Sequence, residues 1–195
     1  MEPKLLHRKE ALILTSIEII NDLGFQGLTT KEIAKRERIS ESTIYKHFRN
    51  KNEIIVAVLE HFSQYDEAII KSTKSKDLTP RETVLYFIDS YVTYYENYPE
   101  ITAILHAFDS LITQPEFREM VDRIFFNRTE FIKHILDQAK NAGIIQSFVD
   151  TENLTDVIIG TERGINLKWR MRNYGFSLKE QTLSSLKMIL DAFLQ

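Results

Sequence analysis

The side chains with the most chemistry to offer cluster near the N-terminus. Ser40, Glu41, Ser42, Thr43, Tyr45, Lys46 and His47 fall within eight positions, with Thr29, Thr30 and Arg38 just before them and Lys51 just after. Hydroxyls, an amine, a carboxylate and an imidazole presented by one helix can hydrogen-bond phosphates or base edges in a major groove. A second set lies further along. Arg128 falls between Ile124 and Phe131, and Glu162 between Ile158 and Ile165, with Trp169 following on the same face. A charge on an apolar stripe is costly unless paired. Three readings stay open: an internal ion pair between Arg128 and Glu162, a snorkelling arginine, or a contact from one of them to a ligand. Tyr91, Tyr94, Tyr95 and Tyr98, followed by His106 and Phe108, serve either as core or as the lining of a cavity for an amphipathic or aromatic molecule.

Other chemistries find no support. Without cysteine there is no disulfide framework, thiolate nucleophile or zinc ribbon. The five histidines form no tight cluster with carboxylates, so no metal site is expected. The long helices carry no Glu-x-x-His pair, and there is neither a glycine-rich phosphate loop nor a Gly-x-Ser-x-Gly elbow. No catalytic residue and no cofactor are therefore assigned. The longest apolar run, Ile54 to Leu59, is far short of the ~20 residues that span a bilayer. The first eight residues lack the apolar stretch of a signal peptide. A cytoplasmic protein is expected.

The charge of −3 over 195 residues hides an asymmetry. Residues 1–51 hold ten Lys/Arg against seven Asp/Glu, while the remainder holds 15 against 21. A basic head on an acidic body suggests that one end meets a polyanion.

The elements that must position these groups are helices. Thr29-x-x-Glu32, Asn50-x-x-Glu53, Thr79-Pro80-Arg81-Glu82 and Ser177-x-x-Glu180 are helix-start signals, in which the first side chain accepts from the N3 amide. Gly24, Gly27, Pro99, Pro115, Gly143 and Gly175 mark stops. No alternating β-branched run appears. Apolar residues recur at the helical period, as in Val84, Ile88, Tyr91, Tyr95 and Tyr98. The chain reads as all-α, with about nine helices over 8–23, 30–37, 41–48, 51–74, 80–98, 100–112, 116–142, 151–173 and 177–194. A three-helix domain over 1–50 is expected to precede a helical effector-binding and dimerisation bundle over 51–195, with 51–74 as one continuous shared helix.

Residues 30–48 fit a helix-turn-helix, two helices of about eight residues parted by Arg38-Ile39-Ser40. Ile33, Ile39, Ile44 and Phe48 form its core, Ala34 is small where the helices cross, and Ser40 is a natural N-cap. Lys51 and the amides opening the next helix offer a further phosphate site.

Gly24-Phe25, Leu28-Thr29-Thr30, Ile33-Ala34, Ile39-Ser40, Thr43-Ile44-Tyr45-Lys46-His47-Phe48, Asn50-Lys51 and Glu53 together resemble the N-terminal signature of the TetR family. The resemblance covers about residues 10–55 and implies a homodimeric transcriptional regulator, usually a repressor, released from double-stranded operator DNA by a small-molecule effector. It implies phosphate contacts at Thr29 and Thr30, backbone or base contacts at Thr43, Tyr45, His47 and Lys51, and sequence reading by Ser42 and Lys46. Two departures stand out. Glu37-Arg38 replaces the small residues common before Ile39-Ser40, and Ser42 replaces a frequent glycine. A left-handed backbone at Arg38 costs a non-glycine residue ~1 kcal/mol.

Gly160 and Gly164 lie four apart on one helix, each costing ~1 kcal/mol against Ala. The cost is understandable if another helix packs close, either in the same subunit or across a dimer. Leu183, Leu186, Leu190 and Phe193 form an apolar stripe on the last helix. The resemblance implies that the last two helices of each subunit build a four-helix interface.

Overall fold

The computed structural model describes the backbone of residues 3–194 and the side chains from residue 7 onward. All of it is helix and connection: α1 (Pro3–Gly27), α2 (Thr30–Glu37), α3 (Glu41–Ile44), α4 (Lys51–Ser63), α5 (Asp66–Lys74), α6 (Pro80–Asn97), a 3-10 turn (Pro99–Thr102), α7 (Ala103–Ile112), α8 (Pro115–Asn141), α9 (Thr151–Met171) and α10 (Leu178–Phe193). Among the described residues the nearest thing to sheet is one isolated bridge, Ile145 to Leu194. The negative reading of a leader peptide over residues 1–8 falls partly outside those described.

The start signals work as their chemistry requires. Thr29, Asn50, Thr79 and Ser177 each accept from the amide three residues on. Only Thr79 closes a full capping box, in which Glu82 accepts from the Thr79 amide. Glu53 accepts instead from the Arg49 amide, and Glu32 pairs with Arg36.

The chain divides into two compact units. Residues 1–64 and 99–124 make the first, residues 65–98 and 125–195 the second. In the first unit α1 packs on α2, α4 and α7, and α2 on α3. Leu12, Ile17, Leu28, Ile33, Ile44 and Leu59 are wholly enclosed there. Each such side chain contributes roughly 1.5–3 kcal/mol through burial. In the second unit α10 packs on α6 and α9, and α5 on α6.

The expected continuous helix over 51–74 is interrupted. α4 ends at Ser63 and α5 begins at Asp66. The Ser63 hydroxyl donates back to the Leu59 carbonyl at 3.0 Å, a bond that bends helices. Gln64 and Tyr65 then leave the helix, and Asp66 opens the next one almost fully buried, bonded to Arg128.

Candidate nucleic-acid interface

The turn between α2 and α3 is built on a strained residue. Arg38 adopts φ 53°, ψ 44°, the left-handed conformation that its place after α2 demands. The gain is a closed helix end: the Arg38 amide donates to the Lys35 carbonyl and the Ile39 amide to the Ala34 carbonyl, at 3.3 and 3.0 Å. The neighbouring residue is pinned from two sides. Glu37 accepts from Arg8 at 3.1 Å and from the Thr15 hydroxyl, both on α1. Arg36 ties α2 to α1 through Asp22 at 2.7 Å. The pair holds the Asp22 carboxyl below its ordinary range, chiefly by the hydrogen bond from Arg36. Glu37, standing where the resemblance expects a small residue, thus braces the motif. Ile33, Ala34, Ile44 and Phe48 are buried as expected, whereas Ile39 is only half-buried.

Beyond this turn one face carries the sequence-assigned residues. Arg38, Ser40, Glu41, Ser42, Tyr45 and Lys46 are exposed, with Thr43 and His47 half-buried beside them. Ser40 sits at the N-cap of α3 but its side chain does not cap an amide. Its hydroxyl lies 2.7 Å from that of Ser42 and 3.0 Å from that of Thr43, a small hydroxyl cluster. Thr30 donates to Glu41 at 2.6 Å, joining the starts of α2 and α3, so its hydroxyl is engaged in the free protein. The regular helix ends at Ile44, after which the Lys46 and His47 amides make the tighter i→i−3 bonds of a 3-10 turn. Tyr45 is 53% exposed. Lys51, at the start of α4, lies with its amine 5.4 Å from the Phe25 ring centre, and burial pushes its pKa down. Thr29 is exposed at the N-cap of α2.

The second unit resolves the two core charges. Arg128 does not pair with Glu162. It forms a two-pronged ion pair with Asp66 at 2.7 and 3.1 Å, donates to the Tyr95 hydroxyl at 2.8 Å, and lies 4.3 Å from the Tyr91 ring centre. Tyr91 in turn donates to Asp66 at 3.0 Å. Burial opposes the charge on Arg128, but Tyr95, Tyr91 and Asp66 more than offset it, and its pKa rises. Burial also raises both phenols. Sequence reasoning missed Asp66, although a signal exists: it is a carboxylate four residues after Phe62 and three before Ile69, on the apolar stripe of the supposed single helix.

Glu162 stays in the same neighbourhood but outside the pair. It is 8% exposed, and its Oε1 has no hydrogen-bond partner among the described residues. Burial pushes its carboxyl up to about 7, against the pull of Arg163 and Arg128. Of the other cavity candidates, Tyr94 lies tilted against Tyr95 and edge-on to Tyr98, at ring-centre distances of 6.0 and 6.2 Å. Trp169 is committed to structure, donating to the Phe176 carbonyl at 2.8 Å. His106 and Phe108 belong to the first unit, the former exposed and the latter edge-on to Phe62 at 5.8 Å.

The dimer candidates separate in the same way. Leu186 and Leu190 are wholly buried inside their own chain, which removes them from any interface between subunits. Leu183 and Phe193 are half-buried. α10 packs on α6 and α9 and so uses its leucine stripe internally. Gly160 and Gly164 are exposed, and a Cβ built on either meets nothing of this chain within 4 Å. Close packing within the subunit is therefore not what they serve. They continue an exposed series, Val157, Gly160, Gly164, Leu167 and Met171, whose steps alternate between three and four residues, the spacing of a helix-pairing seam.

An all-helical chain with a braced helix-turn-helix at one end is the form of a DNA-binding transcriptional regulator. Residues 12–58 match the family profile of bacterial regulatory proteins, tetR family. The chain is 40% identical over 53 residues to the tetracycline repressor protein class C of Escherichia coli, a match covering 27% of this chain and 24% of that protein. Two solved structures share the fold along nearly the whole chain. FadR of Bacillus subtilis, in complex with stearoyl-CoA, has a TM-score of 0.73 at 21% identity over 92% of this chain and 96% of the other. The ketosteroid regulator KstR2 of Mycobacterium tuberculosis reaches 0.83 at 17% identity, over 96% and 95%. Among the described residues no helix is long and apolar enough to cross a membrane.

Proposed function

We propose that the protein binds a pseudo-palindromic operator as a homodimer, represses transcription there, and leaves the DNA when a small hydrophobic or amphipathic molecule occupies its second unit. The observation that carries the DNA half is the exposed face of α3. Ser40, Glu41, Ser42, Tyr45 and Lys46 stand exposed on and just around the short α3, which Thr30 joins to an α2 that is itself tied to α1. Polar groups held rigidly at a helix start are what major-groove reading needs. Thr29, Arg38 and Lys51 flank that face as phosphate contacts, with Lys46 and Ser42 reading bases.

The dimer half rests on the α9 seam, whose two glycines let a partner helix approach its backbone. The effector half rests on the body built around Asp66, Arg128, Tyr91 and Tyr95, with the lone Glu162 oxygen as a polar anchor. The stearoyl-CoA complex of FadR supports an acyl effector. The experiment is selection of binding duplexes from a random library. Recovery of an inverted repeat, lost with Lys46→Ala and Tyr45→Ala, supports the reading. Enrichment of no sequence by the wild-type dimer overturns it.

A further inference from the structure

α5, the start of α6 and the second half of α8 enclose a groove of about 520 Å³ that none of the sequence-assigned residues line. Its volume falls in the range of small-molecule sites. The floor is apolar: Phe131, Ile135 and Ala139 are buried at its base, with Leu78 and Ile144 at its edges. Two lysines, Lys74 and Lys76, and the imidazole of His134 stand at its rim, and no carboxylate lines it. The lysines differ from their neighbours. On α8, Lys133 is paired with Asp137 at 2.9 Å and Lys140 donates to the Val149 carbonyl at 2.7 Å. Lys74 and Lys76 make neither an ion pair nor a hydrogen bond among the described residues. Their amines rest over aromatic rings instead, that of Lys74 at 5.7 Å from the Phe131 centre and that of Lys76 at 4.8 Å from Tyr86. A cation held against a ring face keeps its donors free for an anion.

We infer that this groove binds a single-chain anionic amphiphile, its tail along Phe131, Ile135 and Ala139 and its anionic head between Lys74 and Lys76. An apolar trough with uncompensated positive charge at one rim complements that molecule, and neither a neutral nor a cationic one of the same length fits it as well. The inference stands on the second unit alone and does not depend on operator binding or on the Glu162 anchor.

The test is calorimetric titration of the purified protein, without DNA, with decanoate, decanol and decylamine, each below its micelle-forming concentration. Decanoate is expected to bind at least tenfold more tightly than decylamine. The exposed double variant Lys74→Glu, Lys76→Glu should lose at least tenfold in decanoate affinity. A second variant, Ala142→Trp, narrows the groove from its exposed edge and should weaken decanoate without altering any charge. Equal affinity for the three probes, or decanoate binding that survives charge reversal, overturns the inference. Decanoate binding that is lost in Glu162→Gln but kept in the lysine variant also overturns it, by moving the site to the buried cluster.

Discussion

Glu162 is a residue whose protonation is tied to the fold across an ordinary pH range. Its folded carboxyl titrates at about 7, raised by burial above the ordinary value of 4.5. Between those two values the folded protein holds a proton that the unfolded chain has released, so stability falls as pH rises through that window. The full loss is on the order of 3 kcal/mol. Glu162→Gln removes the dependence: urea unfolding should find it close to wild type at pH 5 and more stable at pH 8. Parallel curves for the two proteins would refute the assignment. The Asp66–Arg128 pair makes the opposite kind of prediction. Breaking a buried pair strands a charge, at a cost of about 3–5 kcal/mol. Asp66→Asn should unfold at markedly lower denaturant at every pH between 5 and 8, and a loss under 1 kcal/mol would show that the cluster is well solvated.

At the scale of elements, the strained turn and the α9 seam are separable from the cores that hold them. Arg38→Gly relieves a left-handed backbone, offset partly by the entropy glycine adds to the unfolded chain. Melting should therefore change by less than about 1 kcal/mol. If Arg38 meets a phosphate, the same variant binds DNA more weakly and its dependence on log salt flattens by about one unit. An unchanged salt slope would remove Arg38 from the phosphate contacts. On α9, Gly160→Ala and Gly164→Ala meet nothing in their own chain, so each should raise subunit helix stability by up to ~1 kcal/mol. Across a close helix pair the added methyls collide, and sedimentation should find weaker dimers, more so for Gly164→Leu. Dimers unaffected by Gly164→Leu would place the subunit contact elsewhere.

At the scale of the whole molecule, effector control is a question of differential affinity. A ligand that shifts the DNA-bound form from 99:1 to 1:99 must prefer the released form by about 10⁴-fold, or ~5.5 kcal/mol. Operator titrations with and without a long-chain acyl-CoA check this directly. A large loss of affinity supports an acyl-responsive regulator, and none over a broad ligand set favours control by a protein partner. The chain passes between the units at Gln64–Tyr65, where one helix was expected to run through, at Tyr98–Pro99, and again at Ile124–Phe125 inside the unbroken α8.

Local rules made much of this legible in the sequence. Capping side chains and helical periods placed most helix ends, because caps and turns act over three or four residues. The left-handed turn at Arg38 was readable only through the family resemblance, which expects a small residue at that position. The charges on the stripes of α8 and α9 were visible too, but their partners were not. Arg128 found Asp66, 62 residues away, and left Glu162 alone. Sequence patterning reports that a stripe is apolar and not which surface covers it. Leu186 and Leu190 thus read as an interface until α6 and α9 were found over them, while the glycines of α9, equally ambiguous, proved open. Periodicity and capping belong to the chain taken a few residues at a time. The partner of a buried charge, and the inner or outer side of an apolar stripe, are decided only when distant helices compete for the same surface.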